Sequence, residues 1–339
     1  MNLFYAFEAF FGKIKGHAVD SRRLRRHKVN NLIHSFLIMT GMIALLSLLG
    51  WSIGGIKGLK WLLFIGLFML ILTPRLSPHM ILRLYGARPL RQVEAPRLYA
   101  VMEELRRRAD LPHVPKLYYV PSSVLNAFTM GKRSDATIAL TDGLLRNLNL
   151  RELIAVLAHE ISHIRNNDMW IMNLSDIVSR LTSLFSTVGQ LLLLFNLPLI
   201  LIADQGIPWL PILVLILAPI LTVLLQLALS RTREFDADIE SANLTGDPKG
   251  LASALAKMER YQQGFFRRVF FPGHRNPDPS VLRTHPETEE RIRRLLSLVE
   301  EKPPRTSIQG LFDDEVFGIP PGLVQVQRRP RWRISGLWY

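Results

Sequence analysis

Between Leu181 and Ser230 the chain carries neither lysine nor arginine, and two long apolar runs, Leu181–Ile202 and Ile207–Leu229, fill most of that stretch. Each is long enough to cross a hydrocarbon core of roughly 30 Å. A short turn around Asp204, Gln205 and Gly206 joins them, and Pro198, Pro208, Pro211 and Pro219 predict kinks or broken ends, which membrane helices tolerate. Leu32–Trp51 is a further run without formal charge, with His34 near its start read as an interfacial side chain. Leu59–Thr73, ended by Pro74, is shorter, but Lys60 and Arg75 can snorkel and let it span. The pattern predicts two transmembrane hairpins, four spans in all.

Charge is distributed to match. The 339 residues carry a net charge of +14, and the basic residues cluster beside apolar runs, as at Arg22, Arg23, Arg25, Arg26 and Lys28. That placement points to an anionic membrane surface and not to nucleic acid, for which no motif is present. Arg180 and Arg231 flank the uncharged block. By the positive-inside rule the turn near Asp204 is external and the remaining charged segments are cytoplasmic. The chain has no cysteine, so disulfides and thiol catalysis are excluded, and any zinc must use histidine and carboxylate ligands.

The expected organisation follows. Residues 1–31 form a basic extension in which Phe4, Phe7, Phe10 and Phe11 recur at helical spacing, as in an interfacial helix or a plain terminus. Residues 32–74 are the first hairpin, 75–180 the first part of a soluble domain, 181–230 the second hairpin, 231–298 the second part of that domain, and 299–339 a basic tail. Within the soluble parts, Ala95–Ala109 and Leu150–Arg165 read as helices, and Lys116–Val120 and Ala136–Thr141 as strands. Further helices are expected around Glu234–Leu244, Leu251–Tyr261 and Glu287–Leu298, with Phe265–Arg283 as a loop.

One stretch carries chemistry: His159-Glu160-Ile161-Ser162-His163, inside the helix expected over Leu150–Arg165. Residues four apart share a helical face. Two imidazoles placed so reach one metal, and the glutamate between them points near a water at that metal. A catalytic zinc takes three protein ligands and keeps one position open. A metzincin would have glycine at 166 and histidine at 169; Asn166 and Met169 exclude that class. A downstream carboxylate is then required, and Glu234, Asp236, Asp238 and Glu240 are the candidates. Glu234 and Asp238 share a helical face, so one can bind the metal while the other orients a ligand; spacing alone does not choose between them.

Several stretches in order resemble the HtpX family of membrane-embedded zinc endopeptidases, relatives of the CAAX prenyl-protease. They are Asn126-Ala127-Phe128 with Gly131, Thr141-Asp142-Gly143-Leu144-Leu145, the stretch from His159 to His163 with Asn167-Asp168-Met169, Ser230-Arg231 through Glu234 and Asp238, and Thr284-His285-Pro286 with Arg291-Ile292. The similarity spans roughly residues 32 to 298. It implies a mainly α, four-span helical membrane protein carrying a cytoplasmic α+β, gluzincin-like zinc protease domain. It implies Zn2+ on His159, His163 and Glu234, one ion per chain, with Asp238 in support. It places Asn126 and His285 near the substrate carbonyl as oxyanion stabilisers. By the same resemblance the substrates are misfolded or damaged membrane proteins, cleaved on the cytoplasmic side of a bacterial or archaeal membrane.

On this reading Glu160 takes a proton from water and later delivers it to the leaving amine. Ala136–Thr141, through Ile138, Ala139 and Leu140, is expected to hold the substrate as an added strand. A rival from another class is a catalytically idle zinc-binding scaffold or chaperone. The intact Glu160 weighs against it, since a purely structural site needs no base and fills all four ligand positions. A transporter is disfavoured by four spans with few internal charges and no internal repeat.

Overall fold

The computed structural model of the protein describes residues 21–72, 78–202, 209–270 and 288–298. The N-terminal phenylalanines, the turn at Asp204 to Gly206, the stretch containing His285 and the tail after 300 lie outside them.

The fold is mainly helical, with one small sheet. The first helical element, α1 (Ser21–Leu72), breaks at Gly54 and at Gly55, where φ is 58° and ψ −141°, a region only glycine enters freely. A Cβ built on Gly58 would lie 2.2 Å from the Gly50 carbonyl oxygen. In a straight helix those residues are separated by about 12 Å of rise, so α1 doubles back on itself as two antiparallel limbs. Two further helices are long: α6 (Asp168–Ile202) and α7 (Trp209–Thr245). Among the described residues three helices, in α1, α6 and α7, are long and apolar enough to cross a membrane.

Packing among these helices follows membrane rules. Lipid is as apolar as leucine, so close backbone approach and polar contacts do the work. Met42, Leu46, Leu62, Val178 and Leu181 bury one seam, while Phe36, Trp61, Phe64, Leu194 and Phe195 face outward. At Gly189 an added Cβ would sit 2.3 Å from Leu215 Cδ2, which explains the glycine. Pro219 has no N–H to give the carbonyl four residues before it. That carbonyl, on Leu215, instead accepts hydrogen bonds from Ser186 Oγ and, at 3.0 Å, from Gln190 Nε2, both on α6. Pro219 thus leaves no unpaired acceptor at Leu215.

The soluble part lies between the helices of the spans. After α2 (Pro78–Leu84) the chain forms β1 (Arg88–Pro89), α3 (Pro96–Arg108), β2 (Lys116–Val120), β3 (Ala127–Lys132), β4 (Asp135–Thr141), α4 (Asp142–Asn147) and α5 (Leu150–Asn166). The sheet order is β1-β2-β4-β3, with β2 parallel to β4 and the other pairs antiparallel. Alternation sends Ala127, Ile138 and Leu140 toward α5 and the main core, and Phe128, Met130 and Ala139 to the other face, under Leu82 of α2. Two helices, α8 (Pro248–Phe270) and α9 (Thr288–Ser297), complete the domain. The loop expected from Phe265 therefore begins later, since α8 runs on to Phe270.

The helix expected over Glu234–Leu244 is not a separate element. It is the last part of α7, which passes without interruption from the apolar run into the core. The charge cluster at Arg231–Asp238 changes composition but contains no helix breaker, so the helix continues.

Helix α5 is buried nearly all round, and Leu153, Leu157, Ala158 and Ile161 have no measurable exposure. Leu157→Ala is expected to destabilise the domain by about 2–5 kcal/mol. Leu184→Ala, on the outward face of α6, is expected to change stability by less than about 0.5 kcal/mol. Thermal unfolding of both variants in the same detergent checks the contrast.

Candidate metal centre

The site is built at the meeting of α5 and α7. Helix α5 starts with a reciprocal cap: Asn149 Oδ1 accepts from the Glu152 N–H at 2.9 Å, and the Asn149 N–H donates to Glu152 Oε2 at 3.0 Å. It ends at Asn167, whose φ of 60° turns the chain sharply into α6. Ser241 Oγ of α7 donates to the Ala155 carbonyl of α5 at 2.8 Å, holding the two helices close. His159 and His163 therefore face Glu234.

The geometry is tight. The two Nε2 atoms are 3.2 Å apart, and Glu234 lies 3.5 Å from His159 Nε2 and 3.9 Å from His163 Nε2. One ligand atom from each of the three residues falls within 4.8 Å of the others. The other nitrogen of each ring meets a carboxylate. His163 Nδ1 donates to Asp168 Oδ2 at 2.8 Å, and His159 Nδ1 lies 3.1 Å from Asp238 Oδ1, a close ionic contact with the N–H off the ideal line. Carboxylates at Nδ1 leave the Nε2 lone pairs directed at the common point. Burial pushes the His159 pKa down, but the hydrogen bonds and charges of Asp238 and Glu234 outweigh it and raise the value to about 10. A metal ion entering here displaces a proton. The donor set, two imidazoles and a carboxylate without sulfur, fits a catalytic zinc.

The carboxylates are held in turn. Asp168 Oδ1 accepts from Arg233 Nε at 2.6 Å. Asp238 accepts two bonds of 2.7 Å from Arg291 of α9, and another nitrogen of that guanidinium is 3.1 Å from Glu234. Both arginines are buried. The four downstream acids separate by partner. Asp236 binds Asn31, Asn166 and Arg233, and Glu240 pairs with Arg165. Of these four, Glu234 and Asp238 contact the histidine rings. Glu160, also buried, accepts from Thr129 Oγ1 of β3 at 2.6 Å.

The family model described as peptidase family M48 matches residues 92–299. This chain belongs to peptidase family M48. The protease HtpX homologue of Methylibium petroleiphilum is 33% identical over 291 residues, 80% of this chain and 99% of that protein. That of Ralstonia pickettii is 34% identical over 286 residues, 80% and 97% of the two chains. The crystal structure of S. mikatae Ste24p is similar with a TM-score of 0.48 and 19% identity, covering 80% of this chain and 66% of that one. The protein is a multi-pass membrane metalloprotease, a hydrolase acting on polypeptides.

The remaining expected site residues of this M48 peptidase fall differently. Asn126 is exposed, immediately before β3, its backbone fixed by hydrogen bonds to Thr141 at 2.8 Å and 3.0 Å. His285 lies outside the described residues. Ile138, Ala139 and Leu140 do not form an open edge: β4 is interior, paired with β2 on one side and β3 on the other, and all three are fully buried. From Thr137 to Leu140 both sides of β4 are already paired, which leaves no room for an added strand at those three residues. Among the described residues, the unpaired edge beside α5 belongs to β3.

Sequence reasoning did not assign Asp168, Arg233, Arg291 or Thr129. An acid five residues after the second histidine, just past an asparagine that ends the helix, is a signal that points to Asp168. The arginines carry no such signal, because the carboxylates they hold against the histidines, Asp168 for Arg233 and Asp238 for Arg291, come from other elements. Asp168→Asn, which keeps shape but removes the charge opposite His163, is expected to weaken metal binding about 10–100-fold. Competition with a chromophoric chelator measures it; binding within twofold of wild type would mean that Asp168 serves only to neutralise Arg233.

Proposed function

We propose that the protein is a zinc-dependent endopeptidase that cleaves misfolded or damaged membrane proteins on the cytoplasmic side of a bacterial or archaeal membrane. The observation that carries this reading is the convergence of His159, His163 and Glu234 on one point, with the buried Glu160 next to His159 in the same helix. These three residues hold the ion, and Asp238 and Asp168 orient the rings. When bound, the zinc supplies Lewis-acid polarisation of the scissile carbonyl and acidifies a water at the site.

The chain's own residues do the rest. Glu160 takes the proton from the attacking water on its carboxylate and passes it to the leaving amine. Asn126, at the start of β3, donates toward the developing oxyanion, and His285 is assigned the same role from the family motif. The exposed edge of β3 aligns the substrate as an extended strand, a backbone-level contact that reads side chains loosely and suits damaged proteins of many sequences. The two limbs of α1, with α6 and α7, make four spans, and the site opens toward the cytoplasm. An idle scaffold is the alternative reading; the buried carboxylate of Glu160, next to His159 in the chain and held by Thr129, favours the enzyme.

Glu160→Gln keeps size but cannot accept a proton. Zinc content and melting temperature are expected to stay near wild type, while casein cleavage falls by at least about 10²–10⁴-fold. Near-full cleavage with zinc bound would exclude Glu160 as the base.

Glu234→Ala is expected to lose stoichiometric zinc by elemental analysis, and Asp238→Ala to retain it with about 10–100-fold weaker affinity. The opposite order would exchange their roles.

The lack of cysteine allows labelling without background. A single cysteine replacing Gln205 is expected to react with an impermeant reagent added outside intact cells, and one replacing Ser134 not to. The reverse pattern would invert the topology.

A further inference from the structure

We infer that Thr129 is a positioning residue for Glu160, tying the orientation of the catalytic carboxylate to the strand on which substrate docks. The inference rests on the role proposed for Glu160. Thr129 lies in the middle of β3, opposite Ile138 of β4. Alternation along β3 sends its side chain, like that of Ala127, to the face covered by α5. Its hydroxyl is 2.6 Å from Glu160 Oε2 and 3.5 Å from the Glu160 backbone carbonyl oxygen. A hydroxyl facing an ionised carboxylate donates, and bonds to charged acceptors are among the stronger ones.

The consequence is geometric. A glutamate side chain has three rotatable bonds, and only some rotamers bring an oxygen to the attacking water. In this site the neighbouring rings are fixed by Asp168 and Asp238, but neither of those carboxylates touches Glu160. Thr129 holds one oxygen, Oε2, and leaves Oε1 to take the proton. Because the bond comes from β3, movement of the edge strand moves the base with it.

The test uses the full-length zinc-loaded protein in detergent and fluorescein-labelled casein. Thr129→Val keeps the branched shape and strand preference but removes the donor. Its kcat is expected to fall about 10–100-fold, the size of a lost hydrogen bond to a charged group. KM, zinc content and melting temperature are expected to stay within about twofold or a few degrees of wild type. Thr129→Ser, which restores the hydroxyl on a smaller side chain, is expected to recover most of kcat. Retention of kcat in Thr129→Val overturns the inference, and so does a loss that Thr129→Ser fails to repair, since packing would then explain it. Glu160→Gln assayed alongside separates the two levels. If it is inactive while Thr129→Val is fully active, only the positioning role fails; if it is active, the role of Glu160 itself fails.

Discussion

Burying charge is costly unless each charge meets its opposite, and the metal centre is organised by that demand. Two histidines need carboxylates to hold their rings, and two buried carboxylates need cations. Asp168 with Arg233 and Asp238 with Arg291 meet both requirements at once. The pairing draws four separate helices, α5, α6, α7 and α9, onto a few ångströms of space. Removing one partner leaves an uncompensated charge in the core, so the chemistry of the site and the stability of the domain are the same problem.

The membrane helices serve that arrangement directly. Asp168 is the first residue of α6, and Glu234 and Asp238 lie in the last third of α7. The helices that face lipid therefore also deliver the groups around the metal. The hairpin in α1 braces them, and Asn31 reaches Asp236 of α7 at 3.3 Å.

Much of this is legible in the sequence, and the parts that are not share a cause. Helix α5 is written in local terms, with a capping box, an apolar periodicity and paired histidines, and it appears where the pattern places it. Strand β2 does too. Strand β3 was not legible: Ala127–Lys132 is short, contains Gly131 and Met130, and gains its identity only by pairing with β4. Without β3, β4 reads as an edge and Ile138, Ala139 and Leu140 read as a substrate contact, although their backbone is paired on both sides. The continuity of α7 was hidden because charge density changes abruptly at Arg231 while helix propensity does not. Thr129, Arg233 and Arg291 act on residues far away in sequence, and no local pattern encodes a partner brought by another element.

Helix α7 is also a measuring rod. From Trp209 to Glu234 it advances about 38 Å at the rise of an α-helix, against a hydrocarbon thickness of roughly 30 Å. A helix that set Trp209 at one interface and ran along the bilayer normal would carry Glu234 about 8 Å beyond the other. On that geometry the height of the site above the lipid follows from backbone length. For the membrane-protein substrates proposed above, such a height would leave a segment still embedded in the bilayer out of range until a short stretch of it had been drawn clear of the lipid.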